Sequence, residues 1–514
     1  NYMGTFGKHD LTVMAGFENY YMKDEELTAA RDKYELTGYP YLNIGSEDFQ
    51  TNSGKGNEYT SNSVFGRVIY SYADRYLFQA NVRHDGSSRF AKGYRWGTFP
   101  SFSAGWVMSE EKFMKNLNWD WLSFLKLRGS WGMLGNERIG DNYFPYIALM
   151  SFGNSLFYMA DGSVVSDKTA RPAVLAVEDI TWETTTSTDI GLDANFFNNR
   201  LQFHFDYYWK QTKDMLLNIE IPYFMGYNNP STNAGKMSTH GYDIELAWND
   251  RIGDFKYGVN VNFSDFLSKI DYMNDGEQIS GGKIKRAGVL FNEYYGYVCD
   301  GIYQTQEEVN NSARTSTTVT VGDLKYRDIS GPDGVPDGII SPEYDRVPLG
   351  NSLPRFQYGG TFNASYKGID FSIAFQGIGK QNSYLSTAMV QPLRDNFGNV
   401  PSILEGNYWS PFNTAEENLS AKYPRLSNVS KSNNYATSSF WMFNGSYFRL
   451  KNLTLGYTLP ETWTQKAGIN RVRFYVSGSD LFCLSNFPDG WDPEMNYKAY
   501  PITTSLVMGL QVNF

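Results

Sequence analysis

Apolar and polar residues alternate with a period of two along much of this chain. In the final stretch, TSLVMGLQVNF, Leu506, Met508, Leu510, Val512 and Phe514 fall on one side, with Gln511 and Asn513 on the other. The run LQFHFDYYWK sets Leu201, Phe203, Phe205, Tyr207 and Trp209 against Gln202, His204, Asp206 and Lys210. FKYGVNVNF sets Phe255, Tyr257, Val259, Val261 and Phe263 against Lys256, Asn260 and Asn262. IDFSIAFQ sets Ile369, Phe371, Ile373 and Phe375 against Asp370, Ser372 and Gln376. A β-strand sends successive side chains to opposite faces, so each run predicts a strand with one apolar and one polar face. Helical periodicity is scarce. SEEKFMKNL (109–117), with Ser109 at the N-cap position, is the best short candidate.

The connections between these runs are lopsided. YADR (72–75), FNNR (197–200) and YKG (366–368) are very short, whereas polar, Gly/Asn/Ser-rich segments span about 24–60, 85–97, 266–354, 380–440 and 484–501. Short and long connections alternate, which in an up-and-down meander puts the short turns at one end and the long loops at the other. The pattern predicts roughly fourteen or fifteen strands, more than one sandwich uses.

Composition narrows the reading. The 514 residues include 38 Tyr and 35 Phe, aromatics reach 17%, and charged residues only 19%. No segment approaches the roughly 18–20 apolar residues of a spanning helix, so helical membrane proteins are excluded. A net charge of −10 argues against nucleic acid, which needs a basic footprint. Cys299 and Cys483 are too few for a disulfide framework and have no metal-site spacing, though one incidental disulfide stays open. The four histidines, His9, His84, His204 and His240, are scattered. No nucleophile elbow, phosphate-binding loop or Cys/His constellation is present, and QGIGK (376–380) reads as a strand end. No enzyme is expected.

A transmembrane β-barrel unites these features. Hydrocarbon cannot hydrogen-bond a backbone, so a sheet in it must pair internally and close. Strands of about ten residues alternate apolar-out and polar-in, between girdles of Tyr, Trp and Phe. The fold expected is all-β, a transmembrane antiparallel barrel with long extracellular loops and short periplasmic turns. A large soluble β-protein, such as a propeller, tandem sandwiches or a lectin-like domain, is the alternative.

Longer stretches then resemble the C-terminal part of SusC/RagA-type TonB-dependent transporters of the Bacteroidetes outer membrane. They include RYLFQANVRHDGSSRFAKGYRWGTFPSFSAGWVMSEEKF (75–113), FLKLRGSWGMLGNERIG (124–140), ITWETTTSTDIGLDANFFNNRLQFHFDYYWKQTKDML (180–216) and NAGKMSTHGYDIEL (233–246). EYYGYVCDGIYQTQEEV (293–309), NYWSPFNTAEENLSAKYPRL (407–426) and FNGSYFRLKNLTLGYTLP (443–460) continue the likeness to the terminal strand. The resemblance implies a barrel of about 22 strands filled by a plug. It also implies a SusD-like surface lipoprotein acting as a lid, and TonB engaging the plug to drive import of a glycan or an oligopeptide. Residues 1–514 are then expected to be the C-terminal portion of one barrel domain, with plug, TonB box and first strands outside them. NYMGTFGKHD, without initiator Met or signal-like segment, fits a piece of a longer polypeptide. A structural or adhesive outer-membrane barrel that binds surface ligands without transport is the second reading.

Candidate site residues lie in the long connections. Arg394, Asp395, Asn396 and Asn399 offer hydrogen bonds, and Tyr408 and Trp409 offer flat faces suited to sugar rings or peptides. Trp491 and Asn496 in SNFPDGWDPEMNY form a second group. The single-residue alternative for each is loop packing. RDISGPDGVPDGIISPEYD gathers Asp328, Asp333, Asp337, Glu343 and Asp345 among glycines. Hard cations such as Ca²⁺ take six to eight oxygens from such turns. The register of a family-like Asp/Asn/Gly run is broken at Ser330 and Pro332, so a Ca²⁺ site and a solvated acidic loop both stand. No other cofactor is expected. Phe514 resembles the terminal aromatic that marks outer-membrane barrels for assembly.

Overall fold

The computed structural model describes residues 1–514 except 141, 275, 386–389, 393–398, 489 and 496–499. One large sheet contains fifteen strands, and each is hydrogen-bonded to the next in this chain order. They are Tyr2–Phe6, His9–Arg31, Gln50–Tyr72, Tyr76–Ser87, Trp96–Val107, Leu122–Asn136, Glu183–Phe196, Leu201–Asn218, Ser231–Ile252, Phe255–Met273, Arg355–Tyr366, Ile369–Lys380, Tyr447–Thr458, Arg471–Ser485 and Ser505–Asn513. The turns at 73–75, 197–200 and 367–368 fall where the sequence placed them. The long connections 137–182 and 219–230 were not anticipated. The first of these carries its own hairpin, Met150–Tyr158 with Val164–Pro172.

Two compact units divide the chain: residues 1–111, 127–190 and 209–238, and residues 112–126, 191–208 and 239–514. In the first, the strands His9–Arg31 and Gln50–Tyr72 run 23 residues each and stay in register from His9↔Tyr72 to Arg31↔Gln50. At ~3.3 Å per residue each reaches roughly 75 Å, well beyond an apolar band of about 25 Å. The neighbouring strand Tyr76–Ser87 pairs no further than Ser61, so Tyr21–Arg31 and Gln50–Thr60 continue past it as a two-stranded ribbon. The loop expected at about 24–60 therefore shrinks to 32–49. With water on both faces of the ribbon, the apolar alternation stops while the backbone ladder does not.

The second unit holds the ladders from Phe255–Met273 through Ser505–Asn513, all antiparallel. Their two faces differ as alternation requires. On the polar face Arg473 Nε donates to Asp370 at 2.9 Å, Ser372 Oγ donates to Asn363 at 2.7 Å, and Asn260 donates to Glu245 at 2.9 Å. His204 meets Asp193 at 3.1 Å, and the Lys126 ammonium lies 3.4 Å from the same carboxylate. The other face is apolar and open. Leu506, Met508 and Leu510 are 73%, 82% and 57% exposed, and Leu455, Phe474 and Val476 are exposed too. Phe514 follows the last strand and is also exposed. Near the short turns Trp119 stacks on Trp121 (5.2 Å), Trp121 on Phe196 (5.8 Å), and Phe197 tilts against Trp248 (6.2 Å). Such a row of rings is the interfacial girdle of a membrane barrel.

Two local expectations change. The segment 109–117 forms a 3₁₀ turn, Met108–Glu110, and a single α-turn, Lys112–Lys115, with Ser109 inside the former rather than capping a helix. Glu111 between them is held by Arg75, Tyr76 and the Trp106 indole, which fixes the turn against the strands. The alternation of FRLKNLTL slips by one at Lys451–Asn452. There the ladder shifts register against both neighbours, and Lys451 pairs with Asp480 at 2.7 Å, whose φ is +50°. A β-bulge absorbs the slip and keeps Leu450 and Leu453 on the apolar face.

Phe205→Lys and Phe371→Lys place a cation on the apolar face, at a cost on the order of 2–4 kcal/mol near mid-bilayer. Outer-membrane levels of both variants should fall sharply while Ser372→Lys, on the polar face, assembles normally. Equal levels of all three would mean that the faces are assigned the wrong way round.

Candidate functional site

The buried core lies in the connections. Trp441, Tyr303, Ile284, Leu324, Leu385, Leu404, Val309 and Val390 are among the largest fully buried side chains, and all belong to the segments between Met273 and Tyr447 that leave the sheet. One cluster joins Tyr297, Leu324, Tyr326, Ile340, Leu385, Val390, Leu404, Tyr423 and Trp441. Trp441 stacks with Tyr423 (6.1 Å) and Tyr435 (5.8 Å), meets Phe440 edge-on (4.7 Å), and donates its indole N–H to the Asn434 carbonyl at 2.9 Å.

A buried polar knot ties the two main connections together. The Asp323 carboxylate is fully buried and accepts from Arg425 Nε (2.7 Å), Asn434 Nδ2 (2.8 Å), Ser430 Oγ (2.8 Å) and the Thr320 backbone N–H (2.9 Å). Asn434 Oδ1 in turn accepts from Leu324 N at 2.9 Å. A buried carboxylate is tolerable only when so fully paired. Around this knot, burial pushes the Tyr326 phenol well above its usual range and the Cys299 thiol up to about 11. Cys299 and Cys483 are both free thiols.

Against this core lies a cavity of about 1130 Å³ lined by residues of 401–407, 421–423, 440–443 and 486–491. Its wall combines ring faces (Tyr423, Phe440, Phe443, Phe487, Trp491) with the amides of Asn407 and Asn486 and the Lys422 ammonium. Flat apolar faces beside hydrogen-bonding edges suit a ligand that presents both rings or apolar faces and many polar groups. A second hollow, about 830 Å³, follows the polar strand face beside Asn260, Asn262, Gln357, Gln376 and Lys451.

The structure sorts the sequence candidates. Trp491 lines the cavity. Asn399 is exposed two residues before Pro401 of its wall. Tyr408 packs on the core cluster and bridges to Tyr423, one residue from cavity-lining Asn407. Trp409 is a packing residue: its backbone N–H donates to the Tyr423 carbonyl at 3.0 Å, and its ring covers Gly322. A Cβ at Gly322 would come within 2.3 Å of that ring, and φ is +87°. Arg394, Asp395, Asn396 and Asn496 lie outside the described residues. Asn407, Tyr423, Phe440, Phe443, Asn486 and Phe487 were not singled out from the sequence.

The acidic loop does not gather its carboxylates. Asp345 is buried and accepts from the N–H groups of Ile329 (2.7 Å), Ser330 (3.2 Å) and Ser341 (2.7 Å). Asp328 accepts from Gly338 N at 2.7 Å and Asp337 from Ile339 N at 2.9 Å, while Asp333 and Glu343 are exposed. Among the described residues no three His, Cys, Asp or Glu side chains group to hold a metal ion. Backbone N–H groups occupy both oxygens of Asp345 and one oxygen each of Asp328 and Asp337.

The family profile described as TonB dependent receptor-like, beta-barrel, matches residues 1–477. The chain belongs to that family. It is an outer-membrane β-barrel of SusC/RagA-like type. TonB-dependent receptor P3 of Formosa agariphila is 31% identical over the whole of this chain and 51% of its own length. TonB-dependent receptor SusC of Bacteroides thetaiotaomicron is 28% identical over the whole chain and 49% of its own length. In solved structures, the RagAB peptide transporter superposes with a TM-score of 0.80 at 23% identity, covering 100% of this chain and 54% of that one. The chain thus spans about half the length of the curated relatives it matches.

Replacing Asp323 by Asn removes the charge that faces Arg425, and breaking such a pair costs roughly 3 kcal/mol. Limited proteolysis of the assembled protein should then cut within 274–354 and 381–446 while the strands stay protected. An unchanged cleavage pattern would mean that this knot does not hold the connections.

Proposed function

We propose that residues 1–514 form the wall and extracellular loops of a TonB-dependent importer for a bulky nutrient, an oligosaccharide or an oligopeptide. In this reading the plug, its TonB-contacting segment and the remaining strands of a barrel of about 22 belong to the rest of the protein. A SusD-like lipoprotein covers the loops, and Phe514 is the aromatic end read during assembly. The observation that carries the proposal is the cavity of about 1130 Å³, built by the long connections beside the polar strand face. Family membership supports the coupling to TonB. The names of two similar proteins, SusC and the RagAB peptide transporter, support uptake and a two-component assembly.

Each part has a task in this account. Trp491, Tyr423 and the exposed edges of Phe440 and Phe443 offer ring faces, while Asn407 and Asn486 take hydrogen bonds from the ligand or donate them. Tyr408 and Trp409 hold the wall from behind, and Asn399 stands near the rim. The polar strand face offers a hydrated route past the apolar band.

Native mass spectrometry of the full-length protein, purified in detergent from its own outer membrane, tests the proposal. A co-purifying lipoprotein together with extra ligand mass is expected, and fragmentation of that ligand distinguishes sugar from peptide. A lone barrel with neither would overturn the importer reading in favour of a structural or adhesive barrel.

A further inference from the structure

The connection that carries Trp491 is gripped at two points. At one, Phe487 meets Phe443 edge-on at 6.0 Å. At the other, two carboxylates of the same segment, Asp492 and Glu494, close on groups that belong to the strands. Arg449 Nη2 donates to both Asp492 oxygens at 2.6 Å, and its Nε lies 3.4 Å from Glu494. Gln376 Nε2 donates to Glu494 at 2.6 Å and lies 3.3 Å from the Tyr447 hydroxyl. The Arg449 side chain is 4% exposed, the least of any cation in the ion pairs described. Asp492 also accepts from Glu494 N at 2.9 Å, which fixes the backbone turn between the two residues. Trp491 lies between the two grips.

We propose that Arg449 is the positioning residue of the candidate cavity, a guanidinium latch that holds the described residues 490–495 against the strands and so places Trp491 in the cavity wall. The force that docks the segment is electrostatic. Asp492 and Glu494 are like charges two residues apart, and against a poorly hydrated wall they repel each other and lose solvation. Only a cation placed between them makes docking favourable. Arg449 supplies that charge with a planar fork that can meet both carboxylates, which a neutral side chain cannot do. Without it the same two carboxylates expel the segment, and the cavity loses one wall. The consequence for binding rests on the cavity being the ligand site. The latch itself does not.

The fold provides a reporter. Cys483 is directly opposite Arg449 in the ladder, on the same face, and it borders Asn486 at the start of the connection. Cys483 is half-buried and shares a hollow with Asn486, so on this proposal the docked segment limits access to the thiol. Released, it leaves the thiol open. Removing a neighbouring cation does not by itself make a thiol more nucleophilic, so faster labelling reports access.

The test is maleimide labelling of the full-length protein in detergent, read at the peptide containing Cys483. Arg449→Met should label at least about tenfold faster than the unmodified protein, since losing one partner of a buried pair disfavours docking by roughly a hundredfold or more, and labelling reads the part of that shift that opens the thiol. Arg449→Lys, which keeps the charge but not the fork, should label at a rate between the two. Normal outer-membrane levels identify variants that fold. Equal rates for the unmodified protein and Arg449→Met would overturn the latch, as would Arg449→Lys labelling as fast as Met. Native mass spectrometry of the same samples then reads the cavity, and Arg449→Met should retain less ligand. Faster labelling with ligand retention unchanged would overturn the positioning role. If the unmodified protein carries no ligand at all, the importer reading fails while the labelling result still decides the latch.

Discussion

Hydrocarbon offers a polypeptide backbone no partner, and every N–H and C=O that enters it must be satisfied by another strand. That constraint organises this chain more than any side-chain interaction does. It explains why fifteen strands pair in simple sequence order, where crossovers would leave groups unpaired. It also explains why slips in alternation are taken up by a bulge at Lys451 rather than by a break in the ladder. Once the ladder exists, the two faces are free to differ, and the lipid-facing one is apolar because a charge there is costly.

A second consequence is an inverted distribution of burial. In a water-soluble β-protein the apolar strand faces would form the core. Here Leu506 and Met508 are largely exposed, whereas Trp441 and Leu404 in the connections are closed off entirely. The loops therefore behave as a folded body with its own apolar cluster and its own polar knot at Asp323, mounted on the strands. A cavity can persist between loops only because they are this well tied down. The Arg449 contacts extend the same logic to the last connection, where carboxylates from the loop are held by a guanidinium from the wall.

What could be read beforehand follows from how locally each signal is encoded. Alternation is a property of neighbouring residues, so LQFHFDYYWK and IDFSIAFQ disclose their strands and faces directly. The tight turns at 197–200 and 367–368 are equally local, with Asn198, Asn199 and Lys367 in the left-handed region. The ribbon Tyr21–Arg31 was legible only as a polar stretch, because water on both faces erases the period while the hydrogen bonds persist. In the cavity, Trp491 stood out by its own chemistry. Phe440, Tyr423 and Asn407 did not, since their meeting depends on contacts such as Asp323–Arg425, about a hundred residues apart in sequence. Trp409 was a sound aromatic to notice, yet Gly322 claims its ring for packing. The acidic segment shows the reverse case: carboxylate spacing hinted at a cation, but the backbone N–H groups that Asp345 accepts are invisible in the sequence.

The central claim is that one face of each long strand meets lipid and the other meets water. Site-directed spin labelling of the full-length protein in bilayers tests it most directly, with single labels walked along Arg473–Ser477 and Asp370–Ile373. Collision with oxygen, which concentrates in hydrocarbon, should peak at Phe474, Val476, Phe371 and Ile373. Collision with a water-soluble nickel chelate should peak at Arg473, Tyr475, Ser477, Asp370 and Ser372. Profiles without a period of two, or with the two relaxants exchanged, would contradict the account.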